Sequence, residues 1–271
     1  YKAGHTFPSA VTMWALWGVT IAAVLAYAGA AIIKGDIEVP TYTEPCYRNK
    51  PEFNDCVKRA LQGIIPKLAK VGIPELELES IDPLRVAEMA MAYDANVIAG
   101  KVILKDTVTR GIGKLKIMAV RSVANDPTRF MMEIDFYIPK MVTGGFYSMQ
   151  GHVGDIPITG GDTYNITMGG VSGTWRLTGS PLAENDQTFM RIDKFEVIPE
   201  VQALKVHANN LFKGNPELST VTIAFVNRFW RELYDEMLPY AQESFDKTVR
   251  QILNKIFLKI PYDQLFPLAQ Q

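Results

Sequence analysis

The chain contains few of the residues on which metal centres and enzyme active sites are usually built. Its 271 residues include only two cysteines and three histidines. A structural zinc site takes about four cysteine or histidine ligands, and two cysteines without a nearby histidine cannot supply them. The sequence also contains no Gly-x-Ser-x-Gly elbow, no His-Glu-x-x-His pair and no Walker loop. These absences exclude the common hydrolase and nucleotide-binding motifs, so we predict no metal and no cofactor.

Charged residues are also absent from one long stretch, the segment between Lys2 and Lys34. Within it, residues 13–30 form an apolar run that ends in small residues, and Ala28-Gly29-Ala30 has the A-x-A form of a signal-peptidase site. We therefore expect residues 1–30 to be a signal peptide and the mature protein to be secreted and extracellular.

The first residue is Tyr1 rather than methionine, and Met13 is the expected start of the leader. The alternative is a signal anchor, because residues 11–33 are long enough to span a bilayer. No basic cluster fixes an orientation for such an anchor, which favours cleavage. After cleavage we expect no stable membrane insertion.

The two cysteines lie close together in the segment "EPCYRNKPEFNDC", as Cys46 and Cys56. In an oxidising compartment two nearby cysteines most often pair, whereas a catalytic thiol is the less common alternative there. Closing so short a loop removes unfolded-state entropy worth about 3 kcal/mol. We predict a disulfide between Cys46 and Cys56 that acts as a local staple.

The charge of the mature chain gives no reason to expect nucleic acid or an anionic membrane as a partner. Residues 1–30 contain one lysine and no acidic residue, so 27 basic and 29 acidic residues remain and the net charge is −2. A basic surface would be expected for either of those partners. The remaining chain of about 240 residues is long enough to bury a large core.

Helical periodicity is found near both ends of the mature chain. Asp55 is predicted to cap a helix through "CVKRALQGIIPKLAK", with a bend at Pro66. The segment from about Ser219 to Leu258 predicts a helix about 60 Å long, kinked at Pro239. In its "VNRFWREL" part, we expect the apolar side chains to face a sheet and the polar side chains to face solvent. The polar side chains are those of Asn227, Arg228, Arg231 and Glu232.

Between these helices, from about Val97 to Ile198, the period of the apolar residues changes to two. The clearest case is "RFMMEIDFYI", in which alternate residues from Phe130 to Ile138 share one face. Turn signals separate several such segments, and no helix-length connection lies between them. This pattern predicts an antiparallel meander that curls around the C-terminal helix.

Four segments in a fixed order carry a resemblance to a known family. They are the Cys46/Cys56 pair opening a helix, "GIPELELESIDPL" after it, "HANNLF" before the long helix, and the closing "KIPYDQLFP". From about Pro40 to Pro267 the chain resembles the insect juvenile-hormone-binding and takeout-like secreted proteins. A single cysteine pair is more similar to the takeout branch than to the dedicated hormone carriers.

The resemblance implies an α+β fold with a long C-terminal helix wrapped by a curved antiparallel β-sheet, elongated, with an apolar ligand tunnel. Residues 31–271 would then form a single ligand-binding domain. The implied function is that of a secreted carrier for a terpenoid, fatty-acyl or quinone-like ligand, including juvenile hormone, with no protein partner specified. For each candidate lining residue the alternative is ordinary core packing. These candidates are Phe130, Met132, Ile134, Phe136, Phe225, Phe229 and Trp230.

Two other functions are compatible with parts of the sequence. A secreted esterase acting on such ligands is the main alternative, but neither His152 nor His207 has a nucleophile or carboxylate at a diagnostic spacing. A protein that docks on anionic membranes is disfavoured by the net charge. We predict that the protein is not an enzyme. The sequon "NIT" at Asn165 predicts an N-glycan on the solvent side of a strand.

Overall fold

The computed structural model of the protein describes residues 45–95, 98–153 and 155–270. The predicted signal peptide, residues 1–30, lies outside the described residues. None of the helices in the described part of the chain combines the length and hydropathy needed to cross a bilayer. The elements are α1 (Phe53–Lys70), β1 (Leu84–Ala95), β2 (Ile98–Arg110), β3 (Lys116–Val123), β4 (Met131–Val153), β5 (Ile156–Glu184), β6 (Gln187–Ala208), α2 (Pro216–Arg228), α3 (Trp230–Phe257) and α4 (Tyr262–Leu265).

The strands form one curved antiparallel sheet of six strands, in the order β1-β2-β4-β5-β6. Strand β3 also pairs with β4, because β4 has 23 residues and accommodates two partners end to end. Residues Met131–Tyr137 of β4 pair with β3, and Val142–Val153 pair with β2. The α+β fold with a curved antiparallel sheet, predicted from the sequence, is confirmed.

The sheet extends beyond its predicted limits at both ends. Its first strand begins at Leu84 instead of about Val97, and its last strand ends at Ala208 instead of about Ile198. The missed strand β1 has the sequence "LRVAEMAMAYDA", in which alanine occupies exposed positions 87, 90 and 92. Because alanine occupies exposed positions on both faces, the sequence does not show the alternation of apolar and charged residues that marks a strand.

Helix α1 begins two residues before Asp55, so the prediction that Asp55 caps it is wrong. The N-cap is Glu52, whose side chain makes no capping hydrogen bond, and Asp55 lies in the first turn. The buried ring of Phe53 packs edge-on against Phe266 with ring centroids 5.6 Å apart, which places the first turn against the core. Pro66 does not end the helix, which continues to Lys70.

The predicted C-terminal helix is interrupted at Phe229, and not at Pro239. Phe229 has φ −111° and ψ 30°, which separates α2 from α3, whereas α3 continues through Pro239. The interruption lies two residues after Asn227, which fixes the end of α2 to the sheet. The Asn227 side chain accepts a hydrogen bond from the Val206 N–H and donates one to the Val206 carbonyl, both at 2.8 Å.

Side chains of α2 and α3 satisfy the outer backbone edge of β6 along much of its length. Asn254 pairs with both backbone groups of Ile192 in the way that Asn227 pairs with those of Val206. Covering an edge strand with a helix prevents it from pairing with another chain. We call the contributing residues the edge ladder: Asn227, Arg231, Tyr234, Gln242, Asp246 and Asn254.

The edge ladder corrects the predicted orientation of α2. The prediction that Asn227 faces solvent is wrong, because its amide lies against β6. Arg231 is exposed, as predicted, but its guanidinium also donates to the Gln202 carbonyl at 3.1 Å. Polar side chains prefer this position because an edge strand carries unpaired backbone N–H and carbonyl groups.

The direction of the side chains changes at the same level on three neighbouring strands. On β4, alternate residues as far as Ile138 are buried, and after Pro139 and Lys140 the inward positions begin again at Met141. On β5 the change falls at Gly170, whose φ of 60° is in the left-handed region. The pairing register stays constant across this level, so the strands change direction together.

This level divides the structure into two parts. The packed half contains α1, β3, α4 and the parts of β4, β5 and β6 that lie on the Ile138 side. The open half contains β1, β2, α2 and the parts of the same three strands that lie on the Met141 side. The packed half holds the main hydrophobic core, which includes the fully buried side chains Met190, Ile192 and Tyr262.

Candidate functional site

The inner face of the open half carries apolar side chains that are only half-buried. The pairing register places Leu104 opposite Tyr147, and Val102 opposite Met149, so these side chains share one face. The same face continues on β1 at Met89 and Met91. Five of these side chains are half-buried, and none of the five belongs to either core cluster of the described residues. They are Met89, Met91, Val102, Leu104 and Met149. This face is therefore an apolar surface that the protein's own core does not cover.

Buried hydroxyl groups lie among these apolar side chains. The Thr107 Oγ1 and Tyr164 Oη atoms are 2.8 Å apart, and Tyr147 Oη donates to the Asn209 carbonyl at 2.6 Å. The rings of Tyr147 and Tyr164 pack edge-to-face with centroids 6.4 Å apart. An apolar surface with a few well-placed polar groups is the usual composition of a small-molecule site.

Burial favours the protonated form of both phenols. Desolvation raises the pKa of Tyr164 above its ordinary value. Desolvation also raises the pKa of Tyr147, and the nearby carboxylate of Asp162 raises it further. Both tyrosines therefore act as neutral hydrogen-bonding groups at physiological pH.

The segment after β6 stays hydrogen-bonded to the edge of β5. The Asn209 N–H donates to the Thr163 carbonyl at 3.1 Å, and the Lys213 N–H donates to that of Thr159 at 3.0 Å. A Cβ atom at Gly160 would lie 2.1 Å from the Leu211 carbonyl oxygen, so only glycine permits this close approach. These contacts extend the pairing of β5 beyond Ala208 and fix the start of the connection to α2.

Helix α2 and the start of α3 bring exposed apolar side chains to this half. Phe225 and Phe229 are 53 % and 38 % exposed, and their ring centroids are 4.8 Å apart. Trp230 is half-buried, with the Arg231 guanidinium 4.4 Å from its ring centroid. The described contacts of α2 to the sheet are with β6, through the edge ladder.

The structure does not bring the seven predicted lining residues together. Phe130, Met132, Ile134 and Phe136 are all at least nine-tenths buried in the core of the packed half. Phe130 lies near the rings of Phe257, Tyr262 and Phe266 and not near α2. Their contact with a ligand stays a prediction, and in this structure their packing partners are other core residues.

The inner-face residues of the open half were missed because the side-chain direction changes at Pro139. Extending the alternation of Phe130 and Ile138 through β4 would select even-numbered residues such as Phe146, which is 54 % exposed on the outer face. The signal lay in "MVTGGFYSMQG", where the odd positions Met141, Tyr147 and Met149 face inward. Proline in a strand is a recognised sign of such an irregularity.

The remaining predicted site residues lie apart from this face. Cys46 and Cys56 are joined by a disulfide in the packed half, with an S–S distance of 1.99 Å. Asn165 is exposed on the outer face of β5, and Thr167 Oγ1 lies 3.4 Å from its side-chain oxygen. Among the residues that the structure describes, no group of three or more His, Cys, Asp or Glu side chains could hold a metal ion.

The curved sheet with its helices defines the class of fold. It is similar to the crystal structure of Epiphyas postvittana Takeout 1, with a TM-score of 0.67 and 21 % sequence identity. The match covers 83 % of this chain and 100 % of that chain. The structure therefore has the takeout fold.

The sequence assigns the family directly. The family model described as "Haemolymph juvenile hormone binding protein (JHBP)" matches residues 20–267, so the chain belongs to this family. Relatives include the circadian clock-controlled protein daywake of Drosophila yakuba, 22 % identical over 230 residues, and that of Drosophila melanogaster, 21 % identical over the same length. Each match covers 83 % of this chain and 88 % of the relative. The resemblance identified from sequence segments is confirmed.

Proposed function

We propose that the protein is a secreted carrier that binds one small apolar ligand between the inner face of the open half and helices α2 and α3. The ligand is a terpenoid, fatty-acyl or quinone-like molecule, a class that includes juvenile hormone. The observation that carries this proposal is the half-buried apolar face around Met149 and Leu104, which neither core cluster covers.

The dimensions of this face suit an elongated ligand. From Thr143 to Met149 the strand advances six residues, which is roughly 20 Å at about 3.4 Å per residue. Removing apolar ligand surface from water contributes about 25 cal/mol per Å². An extended chain along β4 would therefore gain its affinity from burial, and the hydroxyls of Tyr164 and Thr107 would fix its orientation.

Membership of the family supports the same reading. The family's description names juvenile hormone binding, and the daywake relatives match over most of their length. No catalytic step is required of the site, because the proposed role is to sequester the ligand and release it unchanged.

The test is a titration of protein stripped of lipid with farnesyl-type, fatty-acyl and quinone ligands, followed by the fluorescence of Trp230. A matched pair of variants separates the two faces of β4: Met149→Arg places a charge on the inner face, and Gln150→Arg places it on the outer face. We expect saturable binding of at least one ligand class, lost in M149R and retained in Q150R.

Two other outcomes of this titration would contradict the proposal. Recovery of hydrolysed ester at a catalytic rate would indicate the esterase instead of the carrier. The absence of binding to all three classes would remove the carrier function. Mass spectrometry of an organic extract of the secreted protein identifies the natural ligand independently of the chosen panel.

We also propose that residues 31–271 are the secreted mature domain and that Asn165 carries an N-glycan. Asn165 is exposed, and its cross-strand neighbour on β4 is Gly144, which leaves room beside the acceptor amide. Glycosidase treatment of secreted protein is expected to increase its gel mobility, and Asn165→Gln to abolish the change. Unchanged mobility of the wild-type protein would contradict the modification.

A further inference from the structure

We propose that the packed half contains a second binding site, for a phosphate or sulfate group, in a cavity at the start of α1. This site is separate from the apolar face of the open half, and the inference does not depend on the proposed carrier function. The cavity has a volume of about 320 Å³ and lies between the first turn of α1 and the end of β3. Its polar lining residues are Arg48, Lys50, Asn54, Ser122 and Asn125.

The lining of this cavity carries positive charge that no lining acid offsets. Arg48 and Lys50 are cationic, and none of the lining residues, all of which lie in the described part of the chain, is Asp or Glu. Ser122 Oγ donates to Asn54 Oδ1 at 2.7 Å, so the Asn54 amide presents its N–H groups on its other side. A cavity with cationic walls and amide donors favours an anion.

The buried guanidinium of Arg48 is the observation that points to a ligand. Its side chain is 7 % exposed, and Nη1 donates to Asp263 Oδ1 at 2.6 Å and to the Phe266 carbonyl. The Nε atom is also buried, but it has no hydrogen-bond partner among the described residues. A buried donor without an acceptor is rare, because it has lost its bond to water without replacing it. A bound oxyanion would supply the missing acceptor.

The remaining edge of this guanidinium has the shape that an oxyanion requires. The Nε–H and one N–H of Nη2 point in parallel from one edge of the planar group. The bonds to Asp263 and Phe266 both come from Nη1, so they leave this edge unused. Such an edge binds two oxygens of a phosphate or sulfate group through two parallel hydrogen bonds.

The first turn of α1 adds backbone donors to the same cavity. The N-cap residue Glu52 makes no side-chain capping bond, and the N–H groups of Asn54 and Asp55 lie too near the helix start to reach a carbonyl within it. The N-terminal end of this helix of 18 residues also carries a partial positive charge. A tetrahedral group has enough oxygens to bond to Arg48 and to this turn at once. A carboxylate has only two, and for this reason we infer a phosphate or a sulfate.

The experiment titrates the isotope-labelled secreted protein, prepared without phosphate, with inorganic phosphate and with sulfate. Nuclear magnetic resonance follows the backbone amides and the arginine Nε–H groups. We expect saturable shifts at the amides of Asn54 and Asp55 and at the Arg48 Nε–H. Acetate at the same ionic strength is the control anion, and it should bind at least about tenfold more weakly because it forms fewer charge-assisted hydrogen bonds.

A matched pair of variants assigns the binding to this cavity. Lys50→Gln removes a lining charge, and Lys70→Gln makes the same change at the other end of α1. We expect K50Q to weaken phosphate binding about three- to tenfold and K70Q to leave it unchanged. Equal losses in the two variants would reflect the overall charge alone and would overturn the site.

A third variant changes the cavity without endangering the fold. Asn54→Asp keeps an oxygen for the Ser122 hydroxyl and adds a negative charge to the lining. An acidic residue in the first turn stabilises a helix, so N54D should unfold at the same or a higher urea concentration. We expect it to abolish phosphate binding, and unchanged binding by folded N54D would overturn the site.

Two further probes identify where the group comes from. Glycerol phosphate presents it on a small molecule, and phosphatidylcholine vesicles containing phosphatidic acid present it on a lipid surface. Binding of either probe that is lost in N54D would support the site and assign its source. If phosphate, sulfate and both of these probes fail to shift the Arg48 Nε–H and the first turn of α1, the proposal is wrong.

Discussion

The packed half and the open half are built from the same three long strands but differ in what covers their inner face. In the packed half, Phe130 is 2 % exposed and Met190 is fully buried, in a core to which α1, α3 and α4 also contribute side chains. In the open half, Phe225 is 53 % exposed and the inner-face side chains are half-buried. Both halves are apolar, so composition does not distinguish them.

This difference indicates a division of roles within one sheet. Apolar side chains that are covered contribute to the free energy of unfolding, whereas those left accessible can contribute to the binding of a ligand. Local stability is expected to be lower where few buried apolar contacts are present. The packed half therefore holds the strands in register, while the inner face of the open half remains accessible to a ligand.

The largest expected effect comes from truncating one phenylalanine in each half. Phe130→Ala removes a buried ring and should lower the free energy of unfolding by about 3–5 kcal/mol, because a cavity remains. Phe225→Ala removes an exposed ring and should change it by less than about 0.5 kcal/mol. Urea unfolding followed by circular dichroism measures both. Similar losses in the two variants would show that the halves are equally packed.

Removing the disulfide tests whether its stabilisation is confined to the packed half. The double variant Cys46→Ser, Cys56→Ser should lose about 3 kcal/mol of stability, since the unfolded chain regains the entropy of the closed loop. Ligand affinity should remain unchanged, because the staple lies away from the open half. Urea unfolding with and without reductant gives the first value, and ligand titration gives the second. An unchanged midpoint on reduction would contradict the first expectation.

The edge ladder allows the same chemistry to be compared in both halves. Asn254→Ala leaves both backbone groups of Ile192 without their hydrogen-bond partner. Because Ile192 is 1 % exposed, this should lower the free energy of unfolding by about 1–3 kcal/mol. Asn227→Ala frees the backbone groups of Val206, which water can reach, and should cost less than about 1 kcal/mol. Denaturation gives the energies, and amide hydrogen exchange at the two strand residues locates them. A larger loss for Asn227→Ala would reverse the comparison.

The smallest effect is a dependence on alkaline pH. Desolvation raises the pKa of Tyr234 from 10 to about 12, and its hydroxyl donates to the Pro199 carbonyl at 3.0 Å. Between about pH 10 and pH 12 the unfolded chain loses this proton before the folded protein does, so stability falls as the pH rises. Tyr234→Phe should lower the free energy of unfolding by about 1 kcal/mol at neutral pH, and its stability should fall less steeply as the pH rises. Parallel pH profiles for the two proteins would argue against this tyrosine as the source.

The arrangement of helix, sheet and helix could be predicted from periodicity because each segment is long. The predictions failed where a local feature competes with the period. Strand β1 was missed because alanines conceal its alternation. The helix boundary falls at Phe229, two residues after Asn227, whose amide bonds to Val206. The proline at 239 was the visible helix breaker, yet the helix continues through it.

The candidate site was harder to predict than the fold for a specific reason. Its location depends on the change of side-chain direction after Ile138, which is shared by three strands that are distant in sequence. The residues Pro139 and Gly170 indicate an irregularity, but only the pairing register shows that they lie at one level of the sheet. Tyr147 and Tyr164 belong to the inner face of the open half as a consequence of that register.

The edge ladder also has a consequence for the solubility of the protein. Strand β6 has 22 residues, and its outer edge would be a long template for pairing with a second chain if α2 and α3 were displaced. Loss of these helices, by truncation or by a substitution that detaches them, is therefore expected to appear first as aggregation. Selection against aggregation would retain the polar side chains of the edge ladder even where ligand affinity does not depend on them.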